Sequence, residues 1–249
     1  MEQLNEYLPQ SVKGKKILIT GGTTGIGRAA ALLLCKLGAD VMIVGLTESH
    51  LKDALTDIYK VAAGEVYDIL ADLGTKDGVE RVFQSADSHF EKLDILINNA
   101  ALPWGNADEG SYEDWQHVVN TNLLAYMACS EQAIRRMKNE GHIVNIGSMS
   151  ADVREETGSV YVATKAGIQG FSEALRKKAN KDGIKVTLIE PGAVDTDMQD
   201  FPTEEKLKKV NELEMLTAND IAVSILYTLC QPKRCDVVNL KIRPHLQLI

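Results

Sequence analysis

Aromatic residues are scarce in this 249-residue chain, at 5% of positions, so any core it builds must be aliphatic. Basic residues are in deficit too. Lys and Arg number 27 against 35 Asp and Glu, a net charge of −8. That counts against a nucleic-acid or anionic-membrane surface, because both need a concentrated basic face. Small anions stay open, since backbone N–H groups at a helix start can hold a phosphate. The four cysteines, Cys35, Cys129, Cys230 and Cys235, contain no CxxC pair and are too sparse for a disulfide framework. The five histidines are scattered, with no HExxH and no His/Cys cluster, so no structural or catalytic metal is expected. Long apolar runs are missing as well. The densest, Ala29–Cys35, is too short to span a bilayer. Met1–Lys16 is polar with early acidic residues, unlike a signal peptide. A cytoplasmic location is expected.

What is present is 45% hydrophobic residues in an ordinary globular mixture, with no repeat and no linker-like stretch. Short apolar runs alternate with longer amphipathic ones. Strands are expected at Lys16–Thr20, Asp40–Val44, Glu65–Leu70, Asp94–Asn98, His142–Ile146 and Lys185–Glu190. A seventh is expected within Val237–Pro244, after which the tail reaches toward the pocket or a neighbour. Helices are expected over Gly25–Leu37, Ser49–Val61, Thr75–Phe90, Tyr112–Lys138 and Val160–Lys181. Regular alternation means βαβ units, hence an α/β, doubly wound (Rossmann) parallel sheet of about seven strands with helices on both faces. One domain would span 1–249, with 1–14 as an N-terminal extension and 193–217 as a substrate loop. Such sheets bind ligands at the carboxyl ends of their strands, so the residues just after each strand should carry the chemistry.

After the first strand stands Thr20-Gly-Gly-Thr-Thr-Gly-Ile-Gly27. Glycines 21, 25 and 27 would let the backbone approach a pyrophosphate at a helix N-terminus; a tight turn with no ligand is the bland alternative. The GxxxGxG spacing resembles the TGxxxGIG of the classical short-chain dehydrogenase/reductase family. Five further motifs, at later strand ends and on the two long helices, test the likeness independently. Asn98-Asn-Ala-Ala101 resembles the family's NNAG, departing at Ala101. Val119-Asn-Thr-Asn122 puts Asn122 where the family has its catalytic-site Asn, and Asn145-Ile-Gly-Ser148 ends on the active-site serine position. Tyr161-Val-Ala-Thr-Lys165 follows 13 residues later (161 − 148) as the YxxxK pair. Glu190-Pro-Gly192-Ala-Val-Asp-Thr196 resembles the family's PG motif.

The resemblance implies an NAD(P)-dependent oxidoreductase acting on carbonyl or secondary alcohol groups. Asn122, Ser148, Tyr161 and Lys165 would be its catalytic residues. Cofactor contacts would come from Gly21, Thr23, Thr24, Gly25, Ile26 and Gly27, from Gly45, Leu46 and Thr47, and from Asp72 and Leu73. Asn99, Ala100, Tyr161, Lys165, Pro191, Gly192, Val194 and Thr196 would complete them. In reduction Tyr161 would give a proton to the substrate oxygen, which Ser148 hydrogen-bonds. Lys165 would bind the nicotinamide ribose, and Asn122 would hold a water leading from Lys165 to solvent. Positions i and i+4 share a helix face, so the Lys165 ammonium, helped by the cationic oxidised nicotinamide, is expected to lower the Tyr161 pKa. The implied stabilisation of phenolate is about 3–4 kcal/mol.

The end of the second strand, Ile43-Val-Gly45-Leu46-Thr47, has neither the acid that NAD enzymes use on the ribose 2′-OH nor an arginine for a 2′-phosphate. The missing carboxylate tips the balance slightly to NADP. The substrate is not legible, but its walls should come from Ala101–Trp104, Met149–Glu156 and the segment after Pro191. Trp104, Met149, Met198 and Phe201 would form an apolar pocket, or else pack elsewhere. Arg154-Glu-Glu156 is either a solvated loop or a clamp on a polar substrate. Surplus apolar residues on the Tyr112–Lys138 and Val160–Lys181 helices suggest a homodimer or homotetramer. The alternative function is a catalytically silent NAD(P)-binding sensor or structural protein, which would need no intact proton donor.

Overall fold

The computed structural model describes residues 10–247. Its strands are β1 (Lys16–Thr20), β2 (Asp40–Gly45), β3 (Val66–Leu70), β4 (Ile95–Asn98), β5 (Gly141–Ile146), β6 (Ile184–Pro191) and β7 (Asn239–Ile242). They form one parallel sheet in the order β3-β2-β1-β4-β5-β6-β7. Alternate residues serve opposite faces. Ile17, Ile19, Val41 and Ile43 belong to one core, with α1 (Gly25–Lys36), α2 (Glu48–Tyr59) and α9 (Ala218–Leu229) packed over it. Leu18, Met42 and Val44 belong to the other, covered by α3 (Lys76–His89) and α5 (Ala125–Arg136). Strands buried on both sides must be apolar throughout, which is why they read as continuous runs.

The strand order reverses between β1 and β4, opening a crevice at their carboxyl ends. Helices are started by local chemistry. Thr75 accepts from Gly78 N at 3.0 Å to cap α3. Ser111/Asp114 and Thr217/Asp220 form reciprocal capping boxes on α4 (Tyr112–Val119) and α9. At the crevice this is not so: Thr24 and Thr47, which precede α1 and α2, make no side-chain cap bond.

The expected Tyr112–Lys138 helix is not uniform. Between α4 and α5 lies a π turn, Asn120–Leu124, in which the Ala125 N–H reaches Asn120 O. The extra residue turns the apolar face of α5 by about 100° relative to that of α4, and apolar residues spread over more than one face, from Val118 to Ile134, gave that offset no distinct signature. A short α6 (Ser150–Val153) and the long α7 (Ser159–Ala179) follow β5. The 193–217 segment is pinned at its ends by a Val194–Leu216 bridge and carries α8 (Thr203–Asn211). Of the 1–14 segment, residues 1–9 lie outside the described residues. Gln10 N donates to Cys230 O at 3.1 Å and Val12 is buried, so the rest is fastened to the domain.

A polar seam crosses the core beneath the crevice. Asn98 Nδ2 donates to Asn145 Oδ1 at 2.9 Å and Ser130 Oγ at 3.1 Å, and Asn145 Nδ2 donates to Ser172 Oγ at 2.9 Å. All four side chains are buried, so each depends on the others for partners. Asn98→Ala should therefore cost about 1–3 kcal/mol, because Asn145 Oδ1 loses its donor. Urea unfolding of the two proteins measures this, and an unchanged midpoint would contradict it.

Candidate active site

The glycine turn between β1 and α1 is built by steric necessity. Gly21 and Gly25 have φ of +62° and +50°, in the left-handed region that side chains avoid. A Cβ on Gly27 would lie 2.1 Å from Gly21 O, so α1 sits directly on its own turn. Asn99 and Thr20 lock this turn to the end of β4. Asn99 Nδ2 donates to Thr20 O at 3.1 Å and Gly21 O at 2.9 Å, while Thr20 Oγ1 accepts from Asn99 N at 2.9 Å and Ala100 N at 3.1 Å. Asn99 thus carries a structural duty. The first N–H groups of α1, with no side chain over them, open onto the groove.

That groove is a cavity of about 260 Å³. Its walls hold Gly21, Thr23, Thr24, Gly25 and Ile26 from the turn, Gly45, Leu46 and Thr47 from β2, Asp72 and Leu73 after β3, and Asn99 and Ala100 after β4. Gly27 lies beneath it instead. Asp72 also accepts from Gly74 N at 2.8 Å, so it stabilises the approach to α3 as well as facing the groove. No motif pointed to His50, His117 or Thr121, which line the same groove. Thr121 Oγ1 is buried with no partner among the described residues. Its place beside Asn122 was the one signal that might have singled it out.

A second cavity of about 400 Å³ continues the groove, sharing Ile26, Asn99, Ala101, Thr196 and Met198 with it. Here Ser148, Tyr161, Lys165, Pro191, Gly192 and Val194 come together. Tyr161 and Lys165 lie one turn apart on α7, with Nζ 5.5 Å from the Tyr161 ring centre and 5.7 Å from that of Tyr126. Lys165 is buried and donates to Ile146 O at 3.1 Å. Burial pushes its pKa down to about 7.

Burial likewise pushes Tyr161 up to about 12; a hydrogen bond with Ser148 pulls the other way, and the Glu155 charge adds to the rise. The expected lowering of the Tyr161 pKa by the Lys165 ammonium is therefore not produced by the chain's own groups. The reason is desolvation, which disfavours phenolate and ammonium alike. The Asn122 side chain is engaged with the chain itself. Its Oδ1 accepts from Leu102 N at 2.7 Å and its Nδ2 donates to Leu102 O at 2.8 Å, fixing the Ala101–Trp104 wall.

Trp104, Met149 and Met198 line the cavity, as do Val153 and Glu155. Phe201 does not; its ring lies under the Lys209 ammonium at 5.0 Å. Gln199 and Gln247 enter the wall unannounced by any motif. The tail folds back after β7, and Gln247 Oε1 accepts from Ala193 N at 3.0 Å. Among the described residues no group of three or more His, Cys, Asp or Glu side chains is arranged to hold a metal ion, and no helix is long and apolar enough to cross a membrane.

Comparison with known proteins agrees with this geometry. The family described as short chain dehydrogenase matches residues 15–207. An uncharacterised oxidoreductase of Staphylococcus epidermidis is 30% identical over 236 residues, covering 94% of this chain and 98% of the relative. A short-chain dehydrogenase/reductase from Serratia marcescens superposes with a TM-score of 0.83 at 25% identity, over 96% of this chain and all of the other. A short chain dehydrogenase from Burkholderia cenocepacia, solved in complex with NADP, gives 0.83 at 28% identity, over 94% and 98%. The chain belongs to the short-chain dehydrogenase family and is an oxidoreductase of that family.

Proposed function

We propose that the groove binds a nicotinamide dinucleotide and that Tyr161 exchanges a proton with a carbonyl or secondary alcohol substrate in the larger cavity. The observation that carries this reading is the continuity of the two cavities. A glycine turn fit for a pyrophosphate lies at one end, and Ser148, Tyr161 and Lys165 converge at the other. The residues fit the cofactor: Gly21 and Gly25 line the groove in backbone conformations that side chains avoid, no side chain caps the α1 N–H groups, and Thr121 Oγ1 in the groove wall is buried without a partner among the described residues. When bound, nicotinamide supplies or accepts hydride and, in its oxidised form, adds a positive charge.

Gly21 to Ile26 would hold the phosphates, Asp72 and Leu73 the adenine side, and Lys165 and Thr196 the nicotinamide end. Ser148 holds the substrate oxygen by hydrogen bond and steadies charge that develops there. Tyr161 donates its proton in reduction and takes one in oxidation. Lys165 sits beside the phenol and favours its anion whenever it is charged. Asn122 holds the Ala101–Trp104 wall in register with these groups.

The cofactor is inferred to be NADP. The β2 end offers Gly45, Leu46 and Thr47 with no carboxylate to repel a 2′-phosphate, and the His50 imidazole lines the same groove. The NADP complex of the Burkholderia relative supports this choice. Assembly as a homodimer or homotetramer is supported by Val119, Leu124 and Met127, exposed together along α4, the π turn and α5. Four cysteines without disulfides suit a reducing cytoplasm.

Four measurements follow from this reading. Tyr161→Phe should lose at least about 100-fold in turnover while binding NADPH within about threefold of the parent; retention of most turnover would overturn the assignment. Steady-state kinetics should give a lower KM for NADPH than for NADH, and a strong NADH preference would reverse the cofactor inference. A phenol whose own surroundings raise its pKa stays protonated at neutral pH. Alcohol oxidation, which needs the phenolate, should therefore climb between pH 7 and pH 10 while reduction does not; profiles recorded in both directions decide this, and flat oxidation would refute it. Light scattering at micromolar concentration should show a dimer or tetramer, and a monomer would refute the assembly.

A further inference from the structure

The larger cavity has two charged side chains in its wall, Lys165 and Glu155. Lys165 is spent at the reaction centre, buried and bonded to Ile146 O. Glu155 stands on the outer wall. Its Oε1 accepts from Ser150 Oγ at 3.2 Å, and it has no ion pair among the described residues. The cations around this wall are engaged elsewhere: Lys241 with Asp152, Lys206 donating to Thr196 O at 2.8 Å, Arg243 to Gln247 O at 2.9 Å, and Arg154 turned back so that its Nε donates to Ala151 O at 3.5 Å.

The backbone shows how the carboxylate comes to be there. Arg154 ends α6 with φ +57° and ψ +55°. A bulky residue seldom adopts this left-handed conformation, and such strain concentrates at functional sites. Here it reverses the chain so that the next side chain lines the cavity. The other polar groups of the outer wall, Ser150, Gln199 and Gln247, are neutral. The carboxylate is also close enough to the reaction centre to disfavour the Tyr161 phenolate.

We propose that Glu155 sets the charge class of the substrate, favouring carbonyl compounds that carry a cationic group over those that carry a carboxylate or phosphate. The inference rests on the oxidoreductase reading above. An anionic substrate would meet an uncompensated carboxylate, with Lys165 already committed beside Tyr161. A cationic one would find a partner with no cation to displace. Repulsion of the wrong ligand contributes to such selectivity as much as attraction of the right one.

Para-tolualdehyde, para-carboxybenzaldehyde and para-(trimethylammonio)benzaldehyde have similar shape and differ in charge. Their kcat/KM values with NADPH, measured on the full chain and on Glu155→Gln, cancel intrinsic reactivity when taken as a ratio of ratios. The Gln amide oxygen can still accept from Ser150, so the substitution removes charge and keeps the hydrogen bond. The cation-to-anion ratio should fall at least about fivefold in Glu155→Gln and fall further in Glu155→Lys. The same ratio read from dissociation constants of the three aldehydes for the enzyme–NADPH complex stands without turnover. An unchanged ratio, with NADPH bound, overturns the role of Glu155 and leaves the oxidoreductase reading intact. Failure to bind NADPH overturns that reading and this proposal with it.

Discussion

Lys165 is taken out of water without a carboxylate to pair with, and the larger cavity is organised around that fact. A buried ammonium is costly unless it is neutralised or hydrogen-bonded. The chain offers it one carbonyl, Ile146 O, and the faces of Tyr126 and Tyr161. Its pKa is pushed down to about 7, so its charge is available near neutrality but loosely held. Such a group responds to whatever anion or hydroxyl enters beside it. The same burial keeps Tyr161 protonated in the chain's own field. Two groups whose ordinary pKa values nearly coincide are thus driven apart, each toward its neutral form, because desolvation disfavours phenolate and ammonium alike.

Holding this pair against the groove falls to a few buried polar contacts. Asn99 and Thr20 bind the glycine turn to the end of β4, while Asn98 and Asn145 tie β4 to β5 beneath it. Tyr126 OH donates to Ile146 O, the carbonyl that Lys165 also uses. The π turn between α4 and α5 carries Asn122, which grips Leu102 with both ends of its amide. Fixed by hydrogen bonds rather than by apolar packing, these junctions set angles as well as distances, which the alignment of two cavities demands.

Much of this was legible in the sequence. The strands were readable because a sheet covered on both faces must be apolar at every position, as Ile17 to Ile19 and Val41 to Val44 are. The glycine turn was readable from its place between strand and helix, whereas Ser148 and the Tyr161/Lys165 pair were singled out only through the resemblance to the family's motifs. Less local features were not. The π turn shifts the helical phase by about 100°, but the apolar residues around it already cover more than one face and mask the shift. His50 and Gln247 reach the cavities only through the geometry of a helix face and a returning tail. Phe201, apolar and adjacent, packs under Lys209 of α8 instead. The rise of the Tyr161 pKa in the chain's own field was not legible either, because spacing shows a neighbouring cation and conceals the burial around both groups.

The central claim is that glycine turn and tyrosine act on one bound dinucleotide. A crystal structure of the chain with NADPH tests it most directly. The account predicts the pyrophosphate on the N-terminus of α1, with the nicotinamide extending into the larger cavity beside Ser148 and Tyr161. A nucleotide seated elsewhere, or one whose nicotinamide points away from Tyr161, would contradict it.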